Sequence, residues 1–422
     1  MNIKTTTFLV LSAVSSAAFA ATPTVSNVQL SGGSKTRITY DLSGDPGIVT
    51  LEIQTNTVAD LSGAWLPIDG QFLRNVSGDV SCIVQPGKGH EIGWLVMESF
   101  GRPLKNARAV LTAWATNAPP DWCVGDLSGK DVPRYYTSTN YFPYGFGHLT
   151  YKTTNIVYKL VKAKGRTFTA GEYSYVDANA GKNPHVVTLT RDYYLAIYET
   201  TQAQYHWATG QQRPYQNDDW PAGRDYERTY PVNIFWRANA RGSSEQWPTD
   251  GYKVTPKDCF VGGARDKSGL FVDLPTEAEW EFAARCGGYR GVNSQIVNGE
   301  VAPYREVANV KAYDSTGTYG KLLPVGSLKA NDWGFYDMVG NVAEMCLDWV
   351  FQTSNKPADI TEETVDPIGL TSGGNAYVFR GSGYRADYGY NTTSRSTYGQ
   401  GQIGYGFRTV VVIEPHRFAS EN

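Results

Sequence analysis

Among 422 residues the sequence holds only 5 Cys, 5 His and 4 Met, and only 19% of its residues are charged. None of the five His stands at helical spacing from another, which removes a histidine-built metal site. Lys and Arg number 38 against 41 Asp and Glu, with no basic block, so the phosphate-neutralising footprint that nucleic acid requires is missing. After the first twenty residues no apolar run approaches the ~20 residues that span a bilayer. The five cysteines (Cys82, Cys123, Cys259, Cys286, Cys346) include no C-x-x-C, against a zinc or thioredoxin-like site, and an odd number leaves at least one unpaired in a monomer. They read as ordinary buried thiols. What is plentiful is 44 Gly, 21 Pro, 28 Tyr and 11 Trp, a composition that describes a loop-rich folded chain of two or three domains.

Residues 1–20 open with a basic start through Lys4, continue with an apolar stretch and end in Ala18-Phe19-Ala20. That pattern predicts a signal peptide and an exported protein, periplasmic or extracellular, without a membrane span after cleavage. Residues 22–118 carry short β-rich runs at 36–42, 48–55, 90–97 and 107–116. Alternation in Thr36-Arg37-Ile38-Thr39-Tyr40 and Val49-Thr50-Leu51-Glu52-Ile53 buries one face and wets the other, predicting an all-β sandwich of fibronectin or immunoglobulin kind with no catalytic constellation. Pro119-Pro120 opens a Tyr/Gly/Pro/Ser-rich stretch to residue 154, a linker or a strap on the next domain. Residues 155–414 mix helices with long irregular loops, and 415–422 form a tail.

Two helices are legible in that last domain. One lies near 200–210. The other is announced by Leu274-Pro275-Thr276-Glu277-Ala278-Glu279-Trp280-Glu281-Phe282-Ala283-Ala284-Arg285, where Thr276 and Glu279 make a capping box and Gly287-Gly288 ends the helix. Glu277, Glu279 and Glu281 invite a general-acid reading, but capping and a solvated face account for them more simply.

Together with Asn331-Asp332-Trp333-Gly334-Phe335-Tyr336-Asp337-Met338-Val339-Gly340-Asn341-Val342-Ala343-Glu344, this helix string resembles the formylglycine-generating enzyme (sulfatase-modifying factor) family. Further matches follow in the family's order: Tyr198-Glu199-Thr200-Thr201-Gln202-Ala203-Gln204-Tyr205, Pro231-Val232-Asn233-Ile234-Phe235-Trp236, Arg380-Gly381-Ser382-Gly383-Tyr384 and Gly406-Phe407-Arg408. The resemblance implies a C-type-lectin-like α+β fold with much irregular structure. It also implies two cysteines just beyond the arginine-glycine motif that bind copper(I) and oxidise a cysteine on a sulfatase. Those two places fall on Ala386 and Asn391, and no cysteine follows Cys346. Soft thiolate ligands for Cu(I) are therefore missing, which argues against copper. The motif's serine and glycine are exchanged at Ser382-Gly383, and the family's W-E-W has become Ala343-Glu344-Met345.

The resemblance further implies a structural calcium loop, with Asp337, Gly340, Val342 and Glu344 supplying hard oxygen ligands. A second calcium site would use Asn309 and the carbonyl of Val310, with Asp314 the nearby acid. The 29 residues 380–408 hold 7 Gly, 5 Tyr, 4 Arg, 3 Ser and 3 Thr but a single large aliphatic, Ile403, and are not a core composition. Tyr, Ser, Gly and Asn make adaptable recognition surfaces. The stretch is similar in composition to the variable segments of lectin-fold proteins diversified by retroelements. Candidate ligand contacts are Tyr384, Arg385, Asp387, Tyr388, Tyr390, Asn391, Arg395 and Tyr398. Three functions follow: a non-catalytic domain binding an extracytoplasmic protein, peptide or glycan, a sulfatase-activating oxidase, and a structural envelope or matrix component.

Overall fold

The structure is a computed structural model. It describes residues 21–32, 35–102, 104–171, 184–211, 229–233, 237–242, 257–288, 296–297, 300–301, 304–310, 321–350, 364–370, 376–384, 395–398 and 404–413.

Alternating apolar residues build the first unit as two facing sheets. Its strands are β1 (Thr24–Ser31), β2 (Thr36–Ser43), β3 (Gly47–Asn56), β4 (Trp65–Pro67), β5 (Val76–Gly78), β6 (Ile83–Val84), β7 (Gly87–Trp94) and β8 (Ala107–Ala115), with a short helix α1 (Val96–Phe100). One sheet runs β1-β2-β7-β5; in the other, β3 pairs with β8 along nearly its whole length and with β4 and β6 on its far side. Ile38, Tyr40 and Leu42 of β2 meet Val49, Leu51 and Ile53 of β3 and Ile92 and Trp94 of β7 in one core. The Trp94 indole donates to the Phe72 carbonyl at 2.9 Å, so this buried ring leaves no polar atom unsatisfied.

Residues 119–154 are a strap with strands of its own. Strand β9 (Trp122–Asp126) and β10 (Arg134–Tyr136) open a six-stranded antiparallel sheet, and the 3₁₀ turn Leu149–Lys152 leads into β11 (Asn155–Val161). Next come β12 (Arg166–Ala170), β13 (His185–Leu189), β14 (Tyr193–Ala196), α2 (Gln202–Thr209), α3 (Arg237–Arg241), α4 (Phe260–Ser268), β15 (Val272–Asp273) and α5 (Glu277–Ala284). The described chain ends with β16 (Ile296–Val297), β17 (Glu300–Val301), α6 (Tyr304–Val307), β18 (Ala343–Val350), β19 (Thr364–Val365), β20 (Ala376–Arg380), β21 (Arg395–Tyr398), β22 (Tyr405–Gly406) and β23 (Val410–Val412). The large sheet has the order β10-β9-β11-β14-β23-β15, and a second runs β21-β20-β18-β22. The domain is α+β with few, short helices.

Both expected helices form, and both carry full capping boxes. Thr201 pairs with Gln204, and Thr276 with Glu279 through N–H to oxygen distances of 2.9 and 3.2 Å. The strap also fastens the sandwich to the second domain. The Tyr135 N–H donates to the Ser81 carbonyl at 2.7 Å, and the Arg134 guanidinium reaches the Val80 carbonyl at 3.0 Å. Ile48 of the sandwich joins the core of the second domain, and Tyr141 packs on both cores.

Candidate functional site

The first turn of α5 is acidic, yet its acids are not solvated. Glu277 is half-buried, while Glu279 and Glu281 are buried, which corrects the expected solvated face. Glu279 is spent on the cap. Glu281 accepts from Arg285 at 2.6 Å and from Arg380 at 2.5 Å, and Arg380 also reaches Glu277 at 3.0 Å. Burial alone would push the Glu281 carboxyl up, but Arg380 and Arg285 outweigh it and hold it below its ordinary value. Arg380 thus clamps the end of β20 onto α5, a partner 99 residues away from Glu281 in the chain.

Beneath this clamp lies a second buried network around the 337–344 loop. Asp337 and Asn341 both take left-handed backbone conformations, φ +56° and +59°, that coil the loop tightly. Glu199 holds the loop by accepting from the Asn341 side-chain amide at 2.6 Å and the Val342 N–H at 2.9 Å. Arg408 forks onto Glu344 with both contacts at 2.5 Å, and the Trp280 indole donates to the same carboxylate at 2.7 Å. Arg408 further donates to the carbonyls of Ala196, Ile197 and Tyr336. Burial, with Asp337 and Glu344 close by, pushes the Glu199 carboxyl well above its ordinary range. Burial also raises Asp337 to about 6, against the lowering effect of the Gly326 N–H. Glu199, Arg408 and Trp280 were not among the residues singled out for function. Their only signal was their place inside the motif strings.

The expected calcium ligands can be tested on this geometry. Asp337 and Glu344 are both buried in one loop, as a calcium site needs, but Asp337 Oδ2 accepts from the Gly326 N–H at 2.6 Å and both Glu344 oxygens face Arg408. As arranged, the donor set does not fit calcium. Asn309, the expected ligand of a second site, donates its amide to the Lys321 carbonyl at 2.7 Å and to Asn341 Oδ1 at 3.1 Å. Val310 follows it, partly buried. Asp314 lies outside the described residues.

Of the expected recognition residues, Tyr384 is 5% exposed and hydrogen-bonds through its hydroxyl to Asn233, so it is floor rather than contact surface. Arg395 and Tyr398 are the first and last residues of β21, opposite Arg380 and Tyr377 of β20. Arg385, Ala386, Asp387, Tyr388, Tyr390 and Asn391 lie outside the described residues. The ends of the 380–408 stretch are core after all: Arg380, Phe407 and Arg408 are buried, held by ion pairs and aromatic packing instead of aliphatic bulk. The Ser-Gly exchange also has a physical reason. A Cβ on Gly383 would sit 2.6 Å from the Gly404 carbonyl oxygen, so glycine is needed there, and Ser382 takes the left-handed turn at φ +64°.

None of the five cysteines is in a disulfide; four are buried and Cys286 is partly exposed. Burial pushes the Cys346 thiol well above its ordinary value and Cys286 to about 11, which keeps both protonated and unreactive.

Two buried arginine–carboxylate clamps, a capped acidic helix and the coiled 337–344 loop define an α+β domain of a recognisable class. The family model described as "Sulfatase-modifying factor enzyme 1-like domain" matches residues 154–413, and the chain belongs to that family. It is 31% identical over 224 residues to "Chaperone protein LppX" of Paenibacillus barcinonensis, covering 46% of this chain and 73% of that protein. It is 38% identical over 118 residues to the formylglycine-generating enzyme of Streptomyces coelicolor, covering 26% of this chain and only 35% of the enzyme. Among solved structures, Treponema denticola variable protein 1 aligns at 21% identity and a TM-score of 0.45, over 61% of this chain and 95% of that one. PvdO from Pseudomonas aeruginosa aligns at 19% identity and a TM-score of 0.44, over 61% and 94%.

Proposed function

We propose that this chain is an exported, non-catalytic member of the family that binds a protein, peptide or glycan outside the cytoplasm. The observation that carries the reading is the thiol inventory. Ala386 and Asn391 stand where the resemblance implies the copper cysteines, and no cysteine follows Cys346. Copper(I) oxidation of a substrate thiol needs soft sulfur ligands that hold the metal and admit the substrate, and neither methyl nor amide does this. The cysteines that do exist are mostly buried, and none is in a disulfide. A recognition role is supported by the Tyr/Gly/Ser/Asn composition of 380–408. A protein target is further supported by the relative named a chaperone, 73% of whose length is covered. Export rests on the signal-peptide pattern of residues 1–20, and no helix among the described residues is long and apolar enough to cross a membrane.

Two measurements test the reading. The chain is loaded with copper and mixed with a sulfatase-motif peptide; conversion of the peptide cysteine at enzyme-like rates rejects the non-catalytic role and restores the oxidase. An array of surface proteins and glycans is then probed with the parent and with a variant carrying Tyr388→Ala and Tyr390→Ala. Loss of selected signals in the variant is expected, and identical profiles remove this surface as the binding site.

A further inference from the structure

We infer that the 337–344 loop of this chain is closed by the protein's own cations, Arg408 on Glu344 and Lys152 of the strap beside Asp337, and takes no calcium. The first half rests on Glu344. A carboxylate offers about four lone-pair positions. Here three are filled, two by the Arg408 fork and one by the Trp280 indole, with Glu344 fully buried. A divalent cation approaching these oxygens also meets the guanidinium charge, which is fixed by three further backbone carbonyls and cannot swing aside.

The second half rests on where Lys152 comes from and how it is held. It ends the 3₁₀ turn of the strap, outside the family-matched residues 154–413. Its carbonyl accepts from the Thr201 hydroxyl at 2.9 Å, which anchors the backbone to the cap of α2. Its ammonium donates to the Val325 carbonyl at 2.9 Å and stands 4.8 Å from the centre of the Tyr198 ring, a cation–π contact. The same nitrogen lies 3.3 Å from the point a Cβ on Gly326 would occupy, and the Gly326 N–H is the donor to Asp337 Oδ2. A half-buried ammonium fixed at these points has Asp337 as its anionic neighbour among the described residues. The strap therefore brings a positive charge of the protein's own beside the loop.

The full chain is the right material for the test. After dialysis, calcium is measured by elemental analysis, and thermal unfolding is followed with 1 mM calcium (about 100-fold above the dissociation constant of a ~10 µM site) and with chelator. The expected result is no bound calcium and matching midpoints. One calcium per chain, or a midpoint several degrees higher with calcium, overturns the inference. Lys152→Met and Lys152→Arg address the second half. The Met variant is expected to melt lower than the parent, and the Arg variant to melt close to the parent. A Met variant as stable as the parent removes Lys152 from the role.

Discussion

Replacing Arg408 with Met is the most informative single perturbation of the buried network. The guanidinium bonds both oxygens of Glu344 and three backbone carbonyls, and it is fully buried. Removing one partner of a buried pair costs about 3–5 kcal/mol because the other charge stays behind without compensation. Each orphaned buried carbonyl adds roughly 1 kcal/mol, discounted because a carbonyl accepts more than one bond. The expected loss is thus about 4–6 kcal/mol, a large part of the 5–15 kcal/mol typical of a domain. At roughly 2–4 °C per kcal/mol for a domain of this size, the unfolding midpoint drops by about 10–20 °C. The assay is urea and thermal unfolding followed by circular dichroism and tryptophan fluorescence, repeated on Glu344→Leu and on the double variant. The double variant is expected to recover at least about 2 kcal/mol relative to additivity, since both buried charges leave together. A loss below about 1 kcal/mol for Arg408→Met, or a coupling of zero, refutes the claim that this pair organises the loop.

Three further outcomes are expected. The folded state holds Asp337 near 6 and Glu199 well above its ordinary range, so both bind protons more tightly folded than unfolded, and stability falls as pH rises through about 6. For Asp337 alone, a move from 3.8 to about 6 corresponds to roughly 3 kcal/mol at most. Glu281 works in the opposite sense, its contribution present above the ordinary Glu value and lost on further acidification, so the urea midpoint rises as pH falls from 7 toward about 4.5 and declines again only below that. A midpoint that declines steadily from pH 7 to 5 contradicts this. A chain beginning at Asn155 lacks β9, which hydrogen-bonds along β11 from Asn155 to Lys159, and is expected to be insoluble or non-cooperative in unfolding, whereas one retaining the strap folds; equal behaviour of the two rejects a structural role for the strap. Gly383→Ala places a Cβ 2.6 Å from a backbone oxygen that cannot rotate away, and destabilisation by about 2 kcal/mol or more is expected in urea unfolding, with no change as the refuting result.

The parts of the fold that sequence reasoning reached are those with local causes. The Thr276–Glu279 capping box is written within four residues, and alternation in β2 and β3 is written within eight. The expected runs 36–42, 48–55 and 107–116 lie within about a residue of β2, β3 and β8, and 90–97 overlaps β7 but runs on into α1. What escaped has distant causes. Glu281 looks like a surface acid until Arg380 arrives from 99 residues away, and Tyr384 looks like an exposed recognition residue until Asn233 and the Asn341 carbonyl are found to hold it. Strand β9 hides in a Tyr/Gly/Pro-rich stretch because its identity comes from pairing with β11 rather than from its own periodicity. The acids of the 337–344 loop were legible as residue types, whereas the Arg408 fork that claims Glu344 was not, because no local pattern joins positions 64 residues apart.

The place of β23 in the large sheet sets the timing of folding. Val410–Val412 lies between β14 and β15, pairing with both, so the sheet is split until this strand has been added. Arg408, two residues earlier, closes the buried network at the same step. No partial chain leaving the ribosome can complete this domain, since the contacts that finish it span more than two hundred residues. The domain therefore closes as a unit or not at all, because its central strand joins partners from both halves of the sequence and neither half holds a finished sheet of its own.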